Sequence, residues 1–465
     1  MSVQSTQSQA SSELEIWKAF FPATEVYIRT VLDCARYWVD ENVGLRELFF
    51  FMSVATADSL RAEKGINDPR APLNADLNSV RESLYALANI QGTFDPFLPT
   101  AYYKVRFDTK SGRYLMNICL NYKGRVHLAK LNGLVKCVTP ALVCKKDKFT
   151  YNGKRMAPDH TYPQLAPLSE RGDVIGAYCV ATRPDGEVIV TFVNQNELEQ
   201  LKSMAESQEF HQQWPAKMLM KSAINQAERE WYTKEMAPVN IEHEPLLRLS
   251  GTKALIEPFM ELLNEQGKAM DKFAKIVAYA MTFFPDSHSA REEGENLLMM
   301  LASNPAMQKC KSFSIARALL VASKYRISLS KTKEQTYTTI LKSGVHTLEI
   351  DLMYQGMRDI AFSGITNTSR EKVTKLQAEL IYSKDRVLFD PSTNIPHVME
   401  QDLQDRGDLL GGFVVITRSE EQEVIFVSAE TMAKVADCSK GNVKSTWPKQ
   451  YARKTLLRQT FSSWL

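Results

Sequence analysis

Apolar residues recur three or four positions apart in two stretches of the N-terminal half. One series lies between Glu15 and Leu60, and a second lies between Asp76 and Ile90. The same spacing returns between Ile256 and Phe284 and between Ser312 and Tyr325. Since apolar residues at this spacing line one face of an α-helix, we expect amphipathic helices at all four places.

Strand-like segments follow the helical stretches in both halves. Tyr102–Phe107 and Arg113–Leu120 flank a glycine-containing turn, as Thr336–Leu341 and Val345–Leu352 do later, and each pair predicts a β-hairpin. A second hairpin is predicted in each half, from Val174-Ile175-Gly176 to Val188-Ile189-Val190 and from Leu409-Leu410-Gly411 to Val424-Ile425-Phe426. Helices followed by hairpins indicate an α+β fold with antiparallel sheets packed against helices, not alternating βαβ units.

The chain also matches itself at a shift of 232–238 residues. The anchors are Lys110-Ser111-Gly112 with Lys342-Ser343-Gly344, Tyr122-Lys123-Gly124 with Tyr354-Gln355-Gly356, Lys146-Asp147 with Lys384-Asp385, Arg171-Gly172-Asp173 with Arg406-Gly407-Asp408, and Trp214-Pro215 with Trp447-Pro448. Because these anchors are collinear and separated by small insertions only, two tandem copies explain them better than chance similarity between two α+β domains.

This repeat divides the chain into four predicted segments. Residues 1–13, rich in Ser and Gln, form a disordered tail, and residues 14–235 form copy one. Residues 236–254, which contain Pro238, Pro245 and Gly251, form a linker, and residues 255–465 form copy two.

Composition narrows the class of protein. With 44% hydrophobic and 24% charged residues, the chain has the composition of a soluble globular protein, and no apolar run reaches the roughly 20 residues needed to span a bilayer. The N-terminus lacks the features of a secretory signal. The seven cysteines are never spaced as CxxC, which argues against a zinc site and a disulfide framework. We therefore expect a cytoplasmic protein with no membrane partner.

Charge is concentrated in one segment of copy one. Between Ala101 and Arg155 there are thirteen basic residues and only two acids, a distribution typical of nucleic-acid binding. Lys104 and Arg106 lie two apart on a predicted strand and so share a face, with Tyr102, Tyr114 and Tyr122 interleaved. A basic groove with aromatic rings can hold single strands, whereas the alternative is a solvated basic face above core tyrosines.

Two further features extend this candidate surface. Gly124 either gives a turn conformation that brings backbone amides to a phosphate or simply joins a strand to a helix. Lys217 and Lys221 share one face of the closing helix beside Trp214, where they either line a groove or snorkel to solvent. The predicted DNA-binding residues are Lys104, Arg106, Lys110, Arg113, Tyr122, Lys123, Gly124, Arg125, Lys130, Lys145, Lys146, Lys148, Lys217 and Lys221.

The sequence gives no indication of an enzyme. No Ser/His/Asp or Cys/His constellation can be assembled, and there is no G-x-x-x-x-G-K-[S/T] phosphate loop. We therefore expect no ATP and no other cofactor, with Mg²⁺ serving only as a counter-ion for DNA.

The order of several motifs resembles the RecT family of single-strand DNA annealing proteins. These motifs are Tyr122-Lys123-Gly124 after a hairpin, Gly176-Ala177-Tyr178 in a strand, Trp214-Pro215, and Met218-x-x-Lys221-Ser222 in the last helix, where the family usually has Lys-Thr. The resemblance covers most of residues 80–231 and persists in copy two through Asn304-Pro305, Tyr354-x-Gly356, Gly411-Gly412-Phe413, Trp447-Pro448 and Lys454-Thr455. It implies two tandem RecT-like annealase domains with the fold shared by the Red beta proteins.

The resemblance also implies how such a protein works. Subunits would assemble into a ring or helical filament, and a basic groove would hold single-stranded DNA extended until the annealed duplex intermediate forms, without ATP. A host single-strand-binding protein or an exonuclease would be a further partner of such a protein.

Copy two loses several of the charges of copy one. Arg113 aligns with Val345, Lys123 with Gln355 and Arg125 with Met357. Each lost phosphate contact weakens binding and its salt dependence. We therefore expect copy one to bind DNA and copy two mainly to supply assembly surface.

Two functions remain open at this stage. One is ATP-independent annealing of single-stranded DNA for recombination by a phage- or mobile-element-encoded protein in a bacterial cytoplasm. The other is a non-annealing scaffold of the same fold with a regulatory or defence-related role. Duplex formation between complementary oligonucleotides, followed without ATP, distinguishes the two.

Overall fold

The computed structural model describes residues 13–203, 214–231, 271–342, 344–364, 372–390, 395–399, 405–419, 422–437 and 448–464. The predicted tail, apart from Glu13, and the predicted linker 236–254 lie outside these ranges, as do the anchor residues Ser343 and Trp447.

Copy one begins with helices and continues with hairpins. Its elements are α1 (13–20), α2 (Glu25–Leu32), α3 (Glu41–Arg61), α4 (Leu77–Asn89), β1 (Ala101–Asp108), β2 (Arg113–Leu120), α5 (Tyr122–Leu131), β3 (Cys137–Cys144), β4 (Lys148–Thr150), β5 (Asp159–Thr161), α6 (Leu168–Arg171), β6 (Val174–Thr182), β7 (Val188–Asn194), α7 (Gln195–Ser203) and α8 (Pro215–Ala227). The predicted helix at 76–90 and both predicted hairpins are confirmed.

Copy two repeats most of this order. Its elements are α9 (Asp271–Met281), α10 (Ser287–Ser303), α11 (Pro305–Gln308), α12 (Ser312–Tyr325), β8 (Thr336–Leu341), β9 (Thr347–Leu352), α13 (Tyr354–Ser363), β10 (Lys375–Tyr382), β11 (Arg386–Phe389), β12 (Pro396–Met399), β13 (Leu409–Thr417), β14 (Gln422–Ser428), α14 (Ala429–Asp437) and α15 (Pro448–Trp464). The helix predicted at 312–325 is confirmed with the same bounds. Of the helix predicted at 256–284, only the part from Asp271 is described.

The described strands pair antiparallel throughout. Each copy has a two-stranded hairpin, β1-β2 or β8-β9, and a three-stranded sheet in the order β3-β6-β7 or β10-β13-β14. A small hairpin, β4-β5 or β11-β12, accompanies each sheet. The α+β class with antiparallel sheets is thus confirmed. No helix in the described part of the chain is both long and apolar enough to cross a membrane.

The compact units of the structure do not coincide with the two copies. Unit 1 combines residues 1–124 with 241–356, and unit 2 combines 125–240 with 357–465. Each unit therefore contains the corresponding part of both copies, and the unit boundary falls inside α5 and α13. The predicted segments describe the sequence repeat, and their boundaries stay a prediction.

In unit 1, the helix before each hairpin covers the hairpin's edge. Ser79 Oγ of α4 accepts a hydrogen bond from the Met116 amide at 3.0 Å, and Ser83 Oγ donates to the Met116 carbonyl at 2.9 Å. Copy two repeats the first contact, because the Leu348 amide donates to Ser314 Oγ of α12 at 3.0 Å. These backbone groups of β2 and β9 are thereby unavailable for pairing with another chain.

A buried aromatic cluster joins the helices of both copies within unit 1. The Trp17 indole N–H donates to the Tyr279 hydroxyl at 2.7 Å, and the rings of Phe21 and Phe313 stack at 6.2 Å. All four side chains are nearly inaccessible to solvent. Large aromatic side chains contribute most to burial energy, so this cluster is a main part of the core of unit 1.

In unit 2, a helix packs on the three-stranded sheet of each copy. Helix α8 contacts β3, β6 and β7, and α15 contacts β10, β13 and β14. Ala223 and Ala227 are buried on the sheet side of α8, as Leu456 and Leu457 are on α15. In each copy the sheet and its helix therefore form two layers. The edge strands β3 and β14 border a groove.

Candidate nucleic-acid interface

The first hairpin carries the predicted basic face in unit 1. Tyr102, Lys104 and Arg106 alternate along β1 and therefore point to the same side. Their cross-strand partners are Cys119, Asn117 and Leu115. Tyr102 is 42% exposed and Arg106 is exposed, whereas Lys104 is half-buried. The sharing of one face by Lys104 and Arg106, with an exposed ring beside them, is confirmed.

The other face of this hairpin packs inward. Tyr103 lies against Phe51 and Phe94, and its hydroxyl donates to Asp58 Oδ2 at 2.6 Å. Burial, reinforced by the Asp58 charge, raises the pKa of Tyr103 well above its usual value. Tyr114 is paired with Phe107 on this same second face, with ring centroids 5.2 Å apart, although Phe107 at the end of the strand is 54% exposed. The expectation that Tyr114 stands among Lys104 and Arg106 was therefore wrong, because adjacent strand positions alternate faces.

At the end of the hairpin, Lys110 and Arg113 differ in their surroundings. Lys110 is exposed in the turn, where the Asp108 carboxylate accepts a hydrogen bond from the Ser111 amide at 2.9 Å. Arg113 instead pairs with Asp76 at 2.9 Å. Asp76 also caps α4, and the hydrogen bond from the Ser79 amide is the main cause of its lowered pKa. The charge of Arg113 is therefore already balanced by the Asp76 carboxylate of the same chain.

Tyr122, Lys123 and Gly124 form the first turn of α5. Gly124 has a helical backbone, and its N–H donates to Asn121 Oδ1 at 2.9 Å. The predicted special turn conformation was wrong: a Cβ on Gly124 would lie 2.1 Å from the Thr100 carbonyl oxygen, so glycine is needed for this close backbone contact. Burial lowers the pKa of Lys123 and raises that of Tyr122.

The other basic residues of this segment belong to unit 2, where acidic residues distant in sequence form ion pairs with them. Arg125 pairs with Glu228, Lys154 lies 3.2 Å from Glu230, and Arg155 pairs with Glu187. Lys130 is half-buried on α5. The excess of positive charge counted along the sequence therefore overstates the positive electrostatic potential of this surface, because folding places acidic residues from distant parts of the chain beside the basic ones.

The turn between β3 and β4 presents three more predicted lysines. Lys145, Lys146 and Lys148 are exposed there. Between them, the Asp147 side chain is 1% exposed, and its carboxylate accepts two hydrogen bonds from the Arg171 guanidinium, at 3.0 and 2.6 Å. The Lys146 amide also donates to the Arg171 carbonyl at 3.0 Å. The repeated Arg-Gly-Asp motif therefore fixes the backbone that displays these lysines.

His160 completes the buried cluster beneath this turn. Its Nε2 lies 3.1 Å from Asp147 Oδ2, and its Nδ1 lies 3.1 Å from the Tyr178 hydroxyl. Burial lowers the pKa of His160 and outweighs the opposing effect of Asp147. Burial alone would raise the pKa of Asp147, but hydrogen bonds from Arg171 and the Cys144 amide lower it overall. The stable charges are thus Asp147 and Arg171, with His160 neutral.

Helix α8 places Lys217 at a groove within unit 2. Its Nζ lies 4.7 Å from the Trp214 ring and donates to Gln459 Oε1 at 2.7 Å. The groove has a volume of about 1390 Å³ and is bordered by β3 and β14, with Lys136 also on its wall. Lys221 is half-buried one turn later on α8. The pairing of Trp214 with Lys217 confirms their predicted proximity.

Copy two places other residue types at the matching positions. Val345, which aligns with Arg113, is 6% exposed, and Met357, which aligns with Arg125, is 1% exposed. By strand register, Thr339 and Leu341 occupy the places of Lys104 and Arg106 on β8. A Cβ on Gly356 would lie 2.1 Å from the Gln335 carbonyl oxygen, as at Gly124. The backbone arrangement is therefore repeated without its cations.

Sequence reasoning missed the acids that pair with the basic residues. Asp76 and Glu228 stand outside the basic segment in sequence, and only the folded chain brings them to Arg113 and Arg125. For Asp76, the one signal in the sequence was its position three residues before Ser79, which is typical of an aspartate that caps the start of a helix. Among the described residues, no three His, Cys, Asp or Glu side chains converge to hold a metal ion.

Comparison with known proteins identifies the repeat. The sequence model of the RecT family matches residues 83–245 and again residues 292–465. None of the curated proteins matches the chain.

Proposed function

Because this chain belongs to the RecT family, whose sequence model matches both copies, we propose that it binds single-stranded DNA and anneals complementary strands in homologous recombination without ATP. The observation that carries the proposal is the face of β1 with Tyr102, Lys104 and Arg106. There a half-exposed ring stands beside two cations on a rigid hairpin. Base stacking and phosphate contacts on such a face do not depend on sequence, as annealing requires.

The proposed mechanism needs only binding energy. Two complementary strands repel each other through their phosphates, and cationic side chains lower that repulsion by replacing condensed counter-ions. A strand held by its backbone keeps its bases available for pairing, and pairing is itself favourable. Mg²⁺ would act in the same process as a counter-ion for the DNA and not as a resident cofactor of the protein.

The exposed lysines of the β3–β4 turn form a second candidate contact, in unit 2. Lys145, Lys146 and Lys148 are held on a turn whose backbone is fixed by Arg171. Lysine is a mobile point charge, suited to contacting phosphates without base recognition. We include Lys217 and Lys221 of α8 in the same group, while Arg113 and Arg125 act mainly within the fold.

Copy one is the proposed DNA-binding copy, and copy two supplies assembly surface. Oligomerisation belongs to the family generally, and a ring or filament of chains is our proposal here, as are a single-strand-binding protein and an exonuclease as partners. As a RecT-family protein the chain is not expected to be a classical enzyme.

The proposal is tested by annealing without nucleotide. Duplex formation between complementary oligonucleotides is followed by fluorescence for the parent chain and for the double variant Lys104→Ala, Arg106→Ala. We expect acceleration by the parent chain and loss of most of it in the variant, together with weaker single-strand binding. The matched control is Thr339→Ala, Leu341→Ala at the corresponding exposed positions of copy two, which should anneal normally.

The outcome also decides between the two functions left open by the sequence. If the parent chain binds DNA but does not accelerate duplex formation, the annealing function is wrong and a non-annealing scaffold of the same fold replaces it. If both double variants lose activity equally, the assignment of DNA binding to copy one is wrong.

A further inference from the structure

Helices α4 and α12 occupy equivalent places in the two copies, which allows their outer faces to be compared residue by residue. Ser79 Oγ on α4 accepts a hydrogen bond from the Met116 amide of β2, and Ser314 Oγ on α12 accepts one from the Leu348 amide of β9. Each helix is followed by a left-handed residue, Gln91 or Arg326. Positions equally distant from the two serines therefore correspond.

One stripe of α12 is buried, and its ends contact copy one. The stripe consists of Phe313, Arg317, Leu320 and Lys324, which are three or four residues apart. Phe313 stacks on Phe21 of copy one, and the Lys324 ammonium lies 5.5 Å from the ring of Phe50. Phe313 is 1% exposed and Leu320 is inaccessible. The ends of this stripe therefore lie where copy two packs on copy one within unit 1, whereas Arg317 pairs with Glu349 of its own copy.

The corresponding stripe of α4 is polar and exposed. It consists of Asn78, Glu82, Tyr85 and Asn89, and all four residues are exposed, with Tyr85 at 53%. Phenylalanine and leucine on α12 are thus replaced by Asn78 and Tyr85 on α4. A face of this composition does not supply the apolar burial on which the contact between the copies rests.

A buried ion cluster adds a second difference. Lys324 Nζ lies 3.0 Å from Glu47 Oε1 and 3.0 Å from Asp95 Oδ2, and both carboxylate side chains are at most 4% exposed. The matching residue of α4 is Asn89. An asparagine in this place would leave the buried Asp95 carboxylate without its cation and Glu47 with Arg46 alone, at 3.6 Å, which is strongly destabilising. Helix α4 therefore cannot replace α12 on this acceptor surface.

The acceptor surface has also changed between the copies. In copy one the Glu47 carboxylate on α3 accepts a hydrogen bond from Thr93, and in copy two Glu293 on α10 accepts one from Ser328, so the two helices correspond. Phe49 and Phe50 are inaccessible beneath copy two. The residues at the same distance after Glu293 are Glu295, which is exposed, and Asn296, which is half-buried.

We propose that the helical layer of unit 1 is closed by its own two copies, so that further chains do not add through the outer faces of α4 and α10. The contact of α12 with α3 then forms only within a chain and not between chains. The outer faces of α4 and α10, at the two ends of the helical layer, are polar, like the outer faces of the terminal repeats of solenoid proteins. Any assembly of chains must use other surfaces. This inference does not depend on the annealing activity.

The test compares assembly of the parent chain with that of two face variants. Tyr85→Arg, Asn89→Glu alters the outer face of α4, and Glu295→Arg alters that of α10. Sedimentation velocity and mass photometry are recorded with and without a single-stranded oligonucleotide, and melting temperatures confirm that the variants fold. We expect the same distribution of masses for all three proteins. Single chains throughout, or oligomers that both variants retain, support the inference.

Loss of an oligomer in either folded variant would overturn the closed layer. The matched control is Leu320→Arg, at the position of α12 that corresponds to Tyr85. Because Leu320 is inaccessible and lies between Phe313 and Lys324 on the stripe, this change should lower the melting temperature sharply. Annealing is measured separately, so an inactive protein with unchanged masses contradicts the proposed function alone.

Discussion

Both copies stabilise the turn between the first strand of the sheet and the small hairpin with a buried Arg–Asp pair, but the two turns expose different charged residues. In copy one, Arg171 binds Asp147 and the Leu142 carbonyl, and in copy two, Arg406 binds Asp385 and the Leu380 carbonyl. The turn above the first pair exposes Lys145 and Lys146, whereas Lys384 above the second is paired with Asp405. The duplicated framework is thus kept by buried contacts, while the charges available at its surface differ.

Breaking the buried pair should have the largest effect. Arg171→Met leaves the Asp147 carboxylate, whose side chain is 1% exposed, without its cation, and we expect a loss of about 3–5 kcal/mol in the free energy of unfolding. Arg406→Met is the matched change in copy two and should cost a similar amount, because Asp385 is equally buried. Chemical denaturation of each full-length variant measures both losses. A small loss in one copy only would show that the framework is not equivalent in the two copies.

The two helical glycines should give the next largest effect. Gly124→Ala and Gly356→Ala each place a Cβ 2.1 Å from a carbonyl oxygen, so the backbones must separate. Overpacking of this kind typically costs about 1–3 kcal/mol. Denaturation of the two variants should show comparable losses, and Gly112→Ala provides a control in which the Cβ meets no neighbour but the positive φ is strained. Unchanged stability in Gly124→Ala would mean that α5 shifts freely away from Thr100.

These glycines also show how far the sequence could predict the structure. Of the two roles left open for Gly124, the junction between a strand and a helix is the one found. Both roles stayed open because a glycine needed for φ above zero and a glycine needed for a close contact look alike in a sequence. Hairpins and helices were predictable because their periodicity is local. The partners of Arg113 and Arg125 were not, since ion pairs depend on tertiary folding. The grouping of the two copies into units 1 and 2 likewise depends on contacts between residues far apart in sequence.

The exposed lysines of the turn should affect DNA binding without affecting stability. For Lys145→Gln, Lys146→Gln we expect weaker single-strand binding and a salt dependence reduced by about 1.4 in the log–log slope, at roughly 0.7 per phosphate contact. Fluorescence anisotropy titrations between low and moderate salt measure this slope. Lys384→Gln in copy two is the control and should leave both affinity and slope unchanged. An unchanged slope in the copy-one variant would remove this turn from the proposed interface.

The smallest expected effect is a pH dependence confined to copy one. Burial lowers the pKa of His160 in the folded state, whereas an unfolded chain has the ordinary value of about 6.5. Between the two values the unfolded state binds a proton that the folded state does not. Stability is therefore lost as the pH falls below about 6.5.

Replacement of this histidine should flatten that dependence. His160→Gln removes the titrating ring, so the free energy of unfolding should change less between pH 7 and pH 5 than in the parent chain, as measured by denaturation at each pH. His397→Gln, an exposed histidine on β12, is the control and should retain the parent slope. Because Asp147 and Arg171 keep their pairing over this range, a variant as pH-sensitive as the parent would locate the titrating group elsewhere in the chain.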